Sequence, residues 1–371
     1  MRDYPNVRFL LAIALLACLP ATVGAQEGSS EFADVIDVND VLLDVVVTDR
    51  DGNVILGLQP DDFVVGDGDG TVDVQSATFY SNRAFLESAG LAERLGVSAD
   101  EVPIDRYFIL FFHDPRSFFP EMISQQLDAL RWARRWVHQE LLPNDYVAVL
   151  SYDYKLKVHQ DFTTNDEEIL RALDNVSRGK DPGANWPSRT EGSTGPSLRE
   201  NLPRGNDLRK STKKIYTALE VVGDASKYII GRKNLLMFSM GFGEDPDFSQ
   251  LTNSGNYRPN ARYYPPMMQS LNDANIAVYT ISLMKNLRAE NEAQALLGSS
   301  LSLLADDTGG EYFMNFINFR DPMRQVVEDN NGYYLLSYPA RAGDSGYRKV
   351  TVETTNPDFV IRARQGYRFG G

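Results

Sequence analysis

The sequence predicts an α/β protein: a mainly parallel sheet covered by helices on both faces, inserted in a small β domain that draws strands from both ends of the chain. Three observations carry this. Between about residues 104 and 331, short apolar runs alternate with longer amphipathic segments, and alternating strands and helices build a parallel sheet. The runs, such as Tyr107-Phe-Ile-Leu-Phe-Phe112, are apolar at every position rather than every second one, as strands buried on two faces are. Residues 35–82 and 332–371 carry strand patterns without helices; three strands make a thin sheet, so the two ends are expected to pair.

In chain order, the β-branched run 41–48 meets Asp49-Arg-Asp-Gly-Asn53, a strong turn signal, and 62–65, Gly66-Asp-Gly-Asp-Gly70 and 72–80 follow as strand, turn and strand. The α/β strands are read at 107–112, 146–152, 234–239, 276–283 and 311–314. Helices are read at 121–141, 167–176, 213–229, 266–274, 291–306 and 322–330. The tail returns to strands at 333–338, 347–354 and 359–364. Two irregular stretches interrupt the alternation. Residues 179–207 are rich in Gly, Pro, Ser, Asn and Arg and contain Trp186; loops of that length are usually functional or disordered. The neighbourhood is basic, with nine Lys and Arg from 178 to 214 against four Asp and Glu. The second stretch, 253–266, carries Tyr257, Tyr263 and Tyr264, expected as an exposed contact surface.

With 371 residues, 43% hydrophobic and 24% charged, the chain has the make-up of a globular protein. Its net charge of −14 argues against sequence-independent nucleic-acid binding, which relies on Lys and Arg to neutralise phosphates. Residues 1–25 read as an export signal: Arg2 and Arg8 in a short polar region, an apolar run at 9–19 too short to span a bilayer, then Val23-Gly24-Ala25 as a small-residue cleavage site. Leu15-Leu16-Ala17-Cys18 also fits a lipoprotein cleavage box, which would put a lipid anchor on Cys18, the one cysteine. Both readings send the chain to the periplasm, the envelope or the extracellular space, and neither gives it a membrane span.

Several stretches follow one another in order along nearly all of the chain after the signal: Val45-Val-Val-Thr-Asp-Arg-Asp-Gly-Asn53, Leu58-Gln-Pro-Asp-Asp-Phe63, Asp145-Tyr-Val-Ala-Val149, Asp161-Phe-Thr-Thr-Asn-Asp166, Leu304-Ala-Asp-Asp-Thr-Gly-Gly310, Tyr333-Tyr-Leu-Leu-Ser-Tyr-Pro339, Tyr347-Arg-Lys-Val350 and Ile361-Arg-Ala-Arg-Gln-Gly-Tyr367. As an ordered set they resemble exported bacterial proteins, of the acidobacterial type, with a von Willebrand factor type A-related domain. The resemblance implies a Rossmann-like α/β domain that binds its ligand at the C-terminal edge of the sheet. For metal-binding members it also implies three loops around a cation. These supply an Asp and two Ser in alternate positions after the first strand, a Thr before a later helix, and an Asp after the strand at 234–239. Such hard oxygen donors suit Mg²⁺ or Ca²⁺.

This sequence departs from that pattern at each loop. Asp114 holds the first acidic position, but Arg116 and Phe118 take the alternate places and Ser117 is out of phase. Thr212 lies near the expected Thr, although the count from Ala218-Leu219 puts Lys213 there. The third loop reads Ser239-Met240-Gly241 where Asp would precede Gly, and a thioether suits a hard cation poorly. The expectation is a binding edge that has lost its cation, with Arg116 supplying the positive charge beside Asp114.

The favoured function is a non-enzymatic, protein-binding or adhesion-type module with no cofactor. Its contact residues are Asp114, Arg116, Ser117, Thr212, Ser239 and Trp186, together with the basic insertion. The alternative is a Mg- or Ca-dependent adhesin holding its ion through Asp114, Ser117, Thr212 and Ser239. A third reading, a serine hydrolase built on Ser239 and one of His113, His138 and His159, lacks the first Gly of a nucleophile elbow, where Met237 stands. Asp67-Gly-Asp-Gly-Thr-Val-Asp73 spaces carboxylates like a calcium loop but has Thr78 at the twelfth position, and reads as a hairpin turn.

Overall fold

The chain from Asp40 begins as a sandwich half. β1 (Asp40–Thr48) is buried along most of its Val- and Leu-rich length and ends at Asp49, whose carboxylate accepts the amides of Asp51 and Asn53 at 2.9 and 2.8 Å. β2 (Phe63–Asp67) and β3 (Gly70–Val72) form a hairpin, and β4 (Ser76–Ser81) follows. The single strand expected at 72–80 is therefore two. The ladder breaks after Val72, and the chain crosses to the opposite sheet, where β4 pairs with a C-terminal strand. The computed structural model describes residues 40–81, 105–117, 120–182, 195–242, 259–284, 292–340 and 346–369. Residues 1–25 with Cys18, and also Phe118, Trp186 and Tyr257, lie outside that set.

The α/β unit runs through β5 (Arg106–His113), α1 (Ile123–Gln139), β6 (Asp145–Tyr152), β7 (Leu156–Thr163), α2 (Asp166–Ser177), α3 (Asn206–Ser211), α4 (Ile215–Ser226), β8 (Lys233–Ser239), α5 (Tyr264–Asp273), β9 (Ile276–Ser282), α6 (Glu292–Thr308), β10 (Tyr312–Phe313) and α7 (Arg320–Asp329). Its six strands lie in the order β10-β9-β8-β5-β6-β7, parallel except for β7, which returns antiparallel to β6. Sequence periodicity missed β7 because Lys157, His159 and Asp161 interrupt its apolar run. Each is buried with a polar partner: Lys157 pairs with Asp153, the His159 Nε2 meets Ser151, and Asp161 accepts the Leu198 and Arg199 amides and the Ser197 hydroxyl.

Alternation along the strands divides the core. Ile109, Phe111, Leu235, Met237 and Val278 face α4, α5 and α6; Phe108, Leu110, Phe112, Leu236 and Phe238 face α1, α2 and α7. The C-terminal strands β11 (Gly332–Pro339), β12 (Gly346–Thr354), β13 (Val360–Ala363) and β14 (Gly366–Phe369) complete two four-stranded sheets, β13-β1-β11-β4 and β14-β12-β2-β3. These enclose a third core that includes Leu43, Val45, Val65, Tyr334 and Leu336. The structure thus shows the expected class, a Rossmann-like, mainly parallel α/β unit set into a β domain built from both ends of the chain. Among the described residues no helix is long and apolar enough to cross a membrane.

Candidate functional site

An open α/β sheet offers its ligand crevice at the carboxyl ends of the strands, where the strand order reverses. Counted in chain order from β7 to β10 the strands run 3-2-1-4-5-6, so the reversal falls between β5 and β8. Those strands deliver His113 and Asp114 on one side and Ser239 on the other. β5 and β8 are parallel and in register, with Phe112 opposite Phe238, so the next residues along, His113 and Ser239, stand side by side. They also share a face: His113 follows Ile109 and Phe111, and Ser239 follows Leu235 and Met237. The His113 Nδ1 and Ser239 Oγ are 2.8 Å apart. Sequence reasoning left the hydrolase histidine unassigned, and counting by twos along both strands would have paired these two.

The pair stitches β5 to β8 at the sheet edge. Ser239 has no exposed surface, and its Oγ accepts the Gly241 amide at 3.0 Å. Burial holds the His113 imidazole down to about 4, with Asp153 opposing, so the ring is neutral at physiological pH. Met240 is buried, and Gly241 takes φ +110, where an added Cβ would lie 2.2 Å from the Leu297 carbonyl oxygen. The third loop is therefore pressed against α6 and presents no side-chain oxygen outward from Met240 or Gly241.

Asp114 is buried, and its carboxylate is already paired. The Arg116 amide donates to Oδ1 at 3.0 Å and the Arg116 guanidinium lies 2.5 Å from Oδ2. The same guanidinium donates to the carbonyl oxygens of Val176 and Ser177, the last turn of α2, where the helix dipole is negative. Gly179, at φ +64, turns the chain away over it; a Cβ there would come within 3.1 Å of an Arg116 nitrogen. Arg116 thus puts a fixed positive charge beside Asp114. Ser117 closes the single 3-10 turn Pro115–Ser117, and its side chain lies outside the described set.

Thr212 is also spoken for. Its hydroxyl donates to Leu208 O at 2.6 Å and accepts the Leu156 amide at 3.1 Å, and no part of the residue is exposed. The first and second loops meet through Tyr152, whose carbonyl accepts the Asp114 amide at 2.9 Å while its hydroxyl donates to Lys213 O at 2.8 Å. Structure therefore brings Asp114, Arg116, Thr212 and Ser239 to one edge but turns the donor atoms of Asp114, Thr212 and Ser239 inward. These donors do not fit a divalent cation, which needs several free, convergent oxygens. Among the described residues no group of three His, Cys, Asp or Glu is placed to hold a metal ion.

The hairpin from β6 to β7 forms the outer lip of this edge. Its apex residue, Tyr154, is 51% exposed and adopts φ 53, a conformation unusual for an aromatic side chain. Asp181 pins the lip to its surroundings by pairing with Lys155 of the hairpin and with Arg209 of α3, at 3.7 Å for the latter. Of the tyrosines expected as an exposed surface, the two described ones, Tyr263 and Tyr264, pack inward instead. Tyr264 is buried with its hydroxyl 2.7 Å from Asp307, and Tyr263 stacks on Tyr216. Asp67 is likewise turned in, accepting the Tyr367 hydroxyl at 2.8 Å.

No protein-family model matches the sequence, and no curated protein matches it. Solved structures do show similarity. BatB from Bacteroides thetaiotaomicron is 11% identical, with 60% of this chain and 96% of that one covered and a TM-score of 0.34. The vWF domain of the type V pili tip protein Mfa5 from Porphyromonas gingivalis is 12% identical over 60% of this chain and 94% of that one, with a TM-score of 0.35. The ArnB paralog VWA2 from Sulfolobus acidocaldarius is 12% identical over 88% and 74%, with a TM-score of 0.33. Likeness this distant says nothing of what the chain binds, and the site must be read from its own residues.

Proposed function

We propose that this chain is an exported, non-enzymatic module of the von Willebrand factor A-related type. It binds a protein partner, without a metal ion, through the C-terminal edge of its central sheet and the flanks of the 179–207 insertion. One observation carries the reading: the Arg116 guanidinium neutralises Asp114 and is itself tied to the end of α2, so the edge holds its positive charge covalently. Export rests on the signal pattern at residues 1–25, and the choice between free export and a lipid on Cys18 belongs to the mature N-terminus. The absence of an enzymatic role is supported by the burial of Ser239, which a nucleophile attacking substrate would have to escape.

The test is a photo-crosslinking amino acid placed at Tyr154, with a control at Arg324 on α7, in the exported chain incubated with envelope extract. The expected result is a discrete protein adduct at position 154 that persists in EDTA. Calorimetry with millimolar Mg²⁺ or Ca²⁺ is expected to give no heat of binding, and the melting temperature no shift. An adduct that forms only with Mg²⁺ would establish the metal-dependent adhesin instead, and equal adducts at 154 and 324 would remove the edge as the contact surface.

A further inference from the structure

We infer that the lip of this edge, the β6–β7 hairpin with the basic residues fastened around it, docks an acidic peptide segment of the partner protein; this rests on the sheet-edge reading above. Charge is the first observation. Segments 153–157, 178–182 and 199–214 carry ten Lys and Arg against four Asp and Glu, in a chain whose net charge is −14. Two of the four acids are consumed locally, Asp153 by Lys157 and Asp181 by Lys155 and Arg209. Arg178, Lys180, Lys210 and Lys213 are exposed, and none is ion-paired within the described residues.

The segments are held as one surface. Asp181 joins the hairpin to α3 and carries Lys180 beside it, and Tyr152 joins the base of the hairpin to Lys213 through its hydroxyl. The second, independent observation is Tyr154. A tyrosine in the left-handed region costs about 1–2 kcal/mol, and strain of this kind concentrates at ligand contacts. The strain places a large, half-exposed ring at the tip of the lip, next to Lys155, where tyrosine is an effective anchor for peptide binding. The partner is a short acidic peptide rather than a long polyanion. Beyond this patch the chain is strongly acidic and repels a continuous phosphate backbone or an anionic bilayer.

Fluorescence anisotropy of the full chain with a fluorescein-labelled decapeptide of alternating Glu and Tyr tests this. Binding is expected at low salt and should weaken steeply as salt rises. The triple variant Lys180→Glu, Lys210→Glu, Lys213→Glu should lose about tenfold or more in affinity, while Arg324→Glu on α7 should change nothing. Tyr154→Ala should lose about fivefold with an unchanged salt slope. Should the reversed triple fail to fold, the same three lysines changed to Gln carry the expectation. Peptide affinity indifferent to the triple overturns the proposal, as does tighter binding of a dT10 oligonucleotide or of phosphatidylglycerol vesicles through the same lysines. A persisting crosslink at position 154 in those cases would leave the sheet edge as the contact surface and remove only its acidic partner.

Discussion

At the scale of single residues, burial decides which groups are chemically available. Arg116 serves Asp114 from two positions along the chain, so little chain entropy is spent in bringing the charges together, and the α2 carbonyls of Val176 and Ser177 take two more of the guanidinium's donors. The same logic acts on His159, which is 4% exposed, with its Nε2 2.8 Å from the Ser151 hydroxyl. Burial is the largest influence on this ring and Lys157 adds to it, Asp181 opposing, so that His159 is held down to about 4 from 6.5. Between those values the unfolded chain binds more protons than the folded one. The stability contribution is therefore complete above about pH 6.5 and is lost as pH falls toward 4, by at most about 3 kcal/mol. We expect the melting temperature to fall over that window and to fall less in His159→Asn. Parallel curves for the two proteins would place the acid sensitivity elsewhere.

At the scale of elements, the β6–β7 hairpin trades stability for presentation. Tyr154→Gly relieves the left-handed strain and, after the entropy glycine brings to the unfolded chain, is expected to stabilise the fold by about 1 kcal/mol while weakening partner binding. Urea unfolding and the peptide titration measure the two effects, and a destabilised variant would show that the ring holds the hairpin together. Elements differ in how legible they were. β5, β8 and β9 announce themselves because both faces are apolar, and the paired tail strands do so through turn chemistry. β7 stayed hidden because its polar residues become apolar in effect only when Ser151, Asp153 and the segment 197–199 are folded against them. The break between β3 and β4 was invisible for a similar reason: Val72, Val74 and Thr78 to Tyr80 on either side favour strand, and only the two-sheet packing separates them. At the site, the loss of oxygens at positions 116 and 240 could be read from residue type alone. The commitment of Thr212 to Leu156 and Leu208 could not, since both partners are backbone atoms distant in sequence or hidden in a helix turn.

At the scale of the whole molecule, the β domain grips the α/β unit away from the C-terminal edge of the sheet, through a floor of partly buried polar contacts. Arg364, between β13 and β14, donates to Leu42 O of β1 and to Asn272 O of α5, and Asn275 donates to Asp44 of β1. Arg362 on β13 reaches Asp329 at the end of α7 and Glu311 before β10, both at 2.6 Å. Asp329 is 2% exposed, so its charge is tolerable only beside a cation. Arg362→Met is expected to cost about 3–5 kcal/mol by stranding that carboxylate, and the double variant Arg362→Met, Asp329→Asn to recover much of the loss because the most buried carboxylate is then neutral and Glu311, more exposed, keeps the Gln325 amide as a partner. The measurement is urea unfolding followed by tryptophan fluorescence, with Trp132 and Trp136 in α1 reporting on the α/β unit, and by far-ultraviolet circular dichroism, which sees all of the strands. Because the ion pairs bridge the two parts, both signals should move together in the wild type and in the double variant. Separated transitions in the wild type would show that the floor does not couple them. Loss of stability in the double variant as large as in Arg362→Met would show that the arginine stem's packing, not the ion pair, holds the β domain to the sheet.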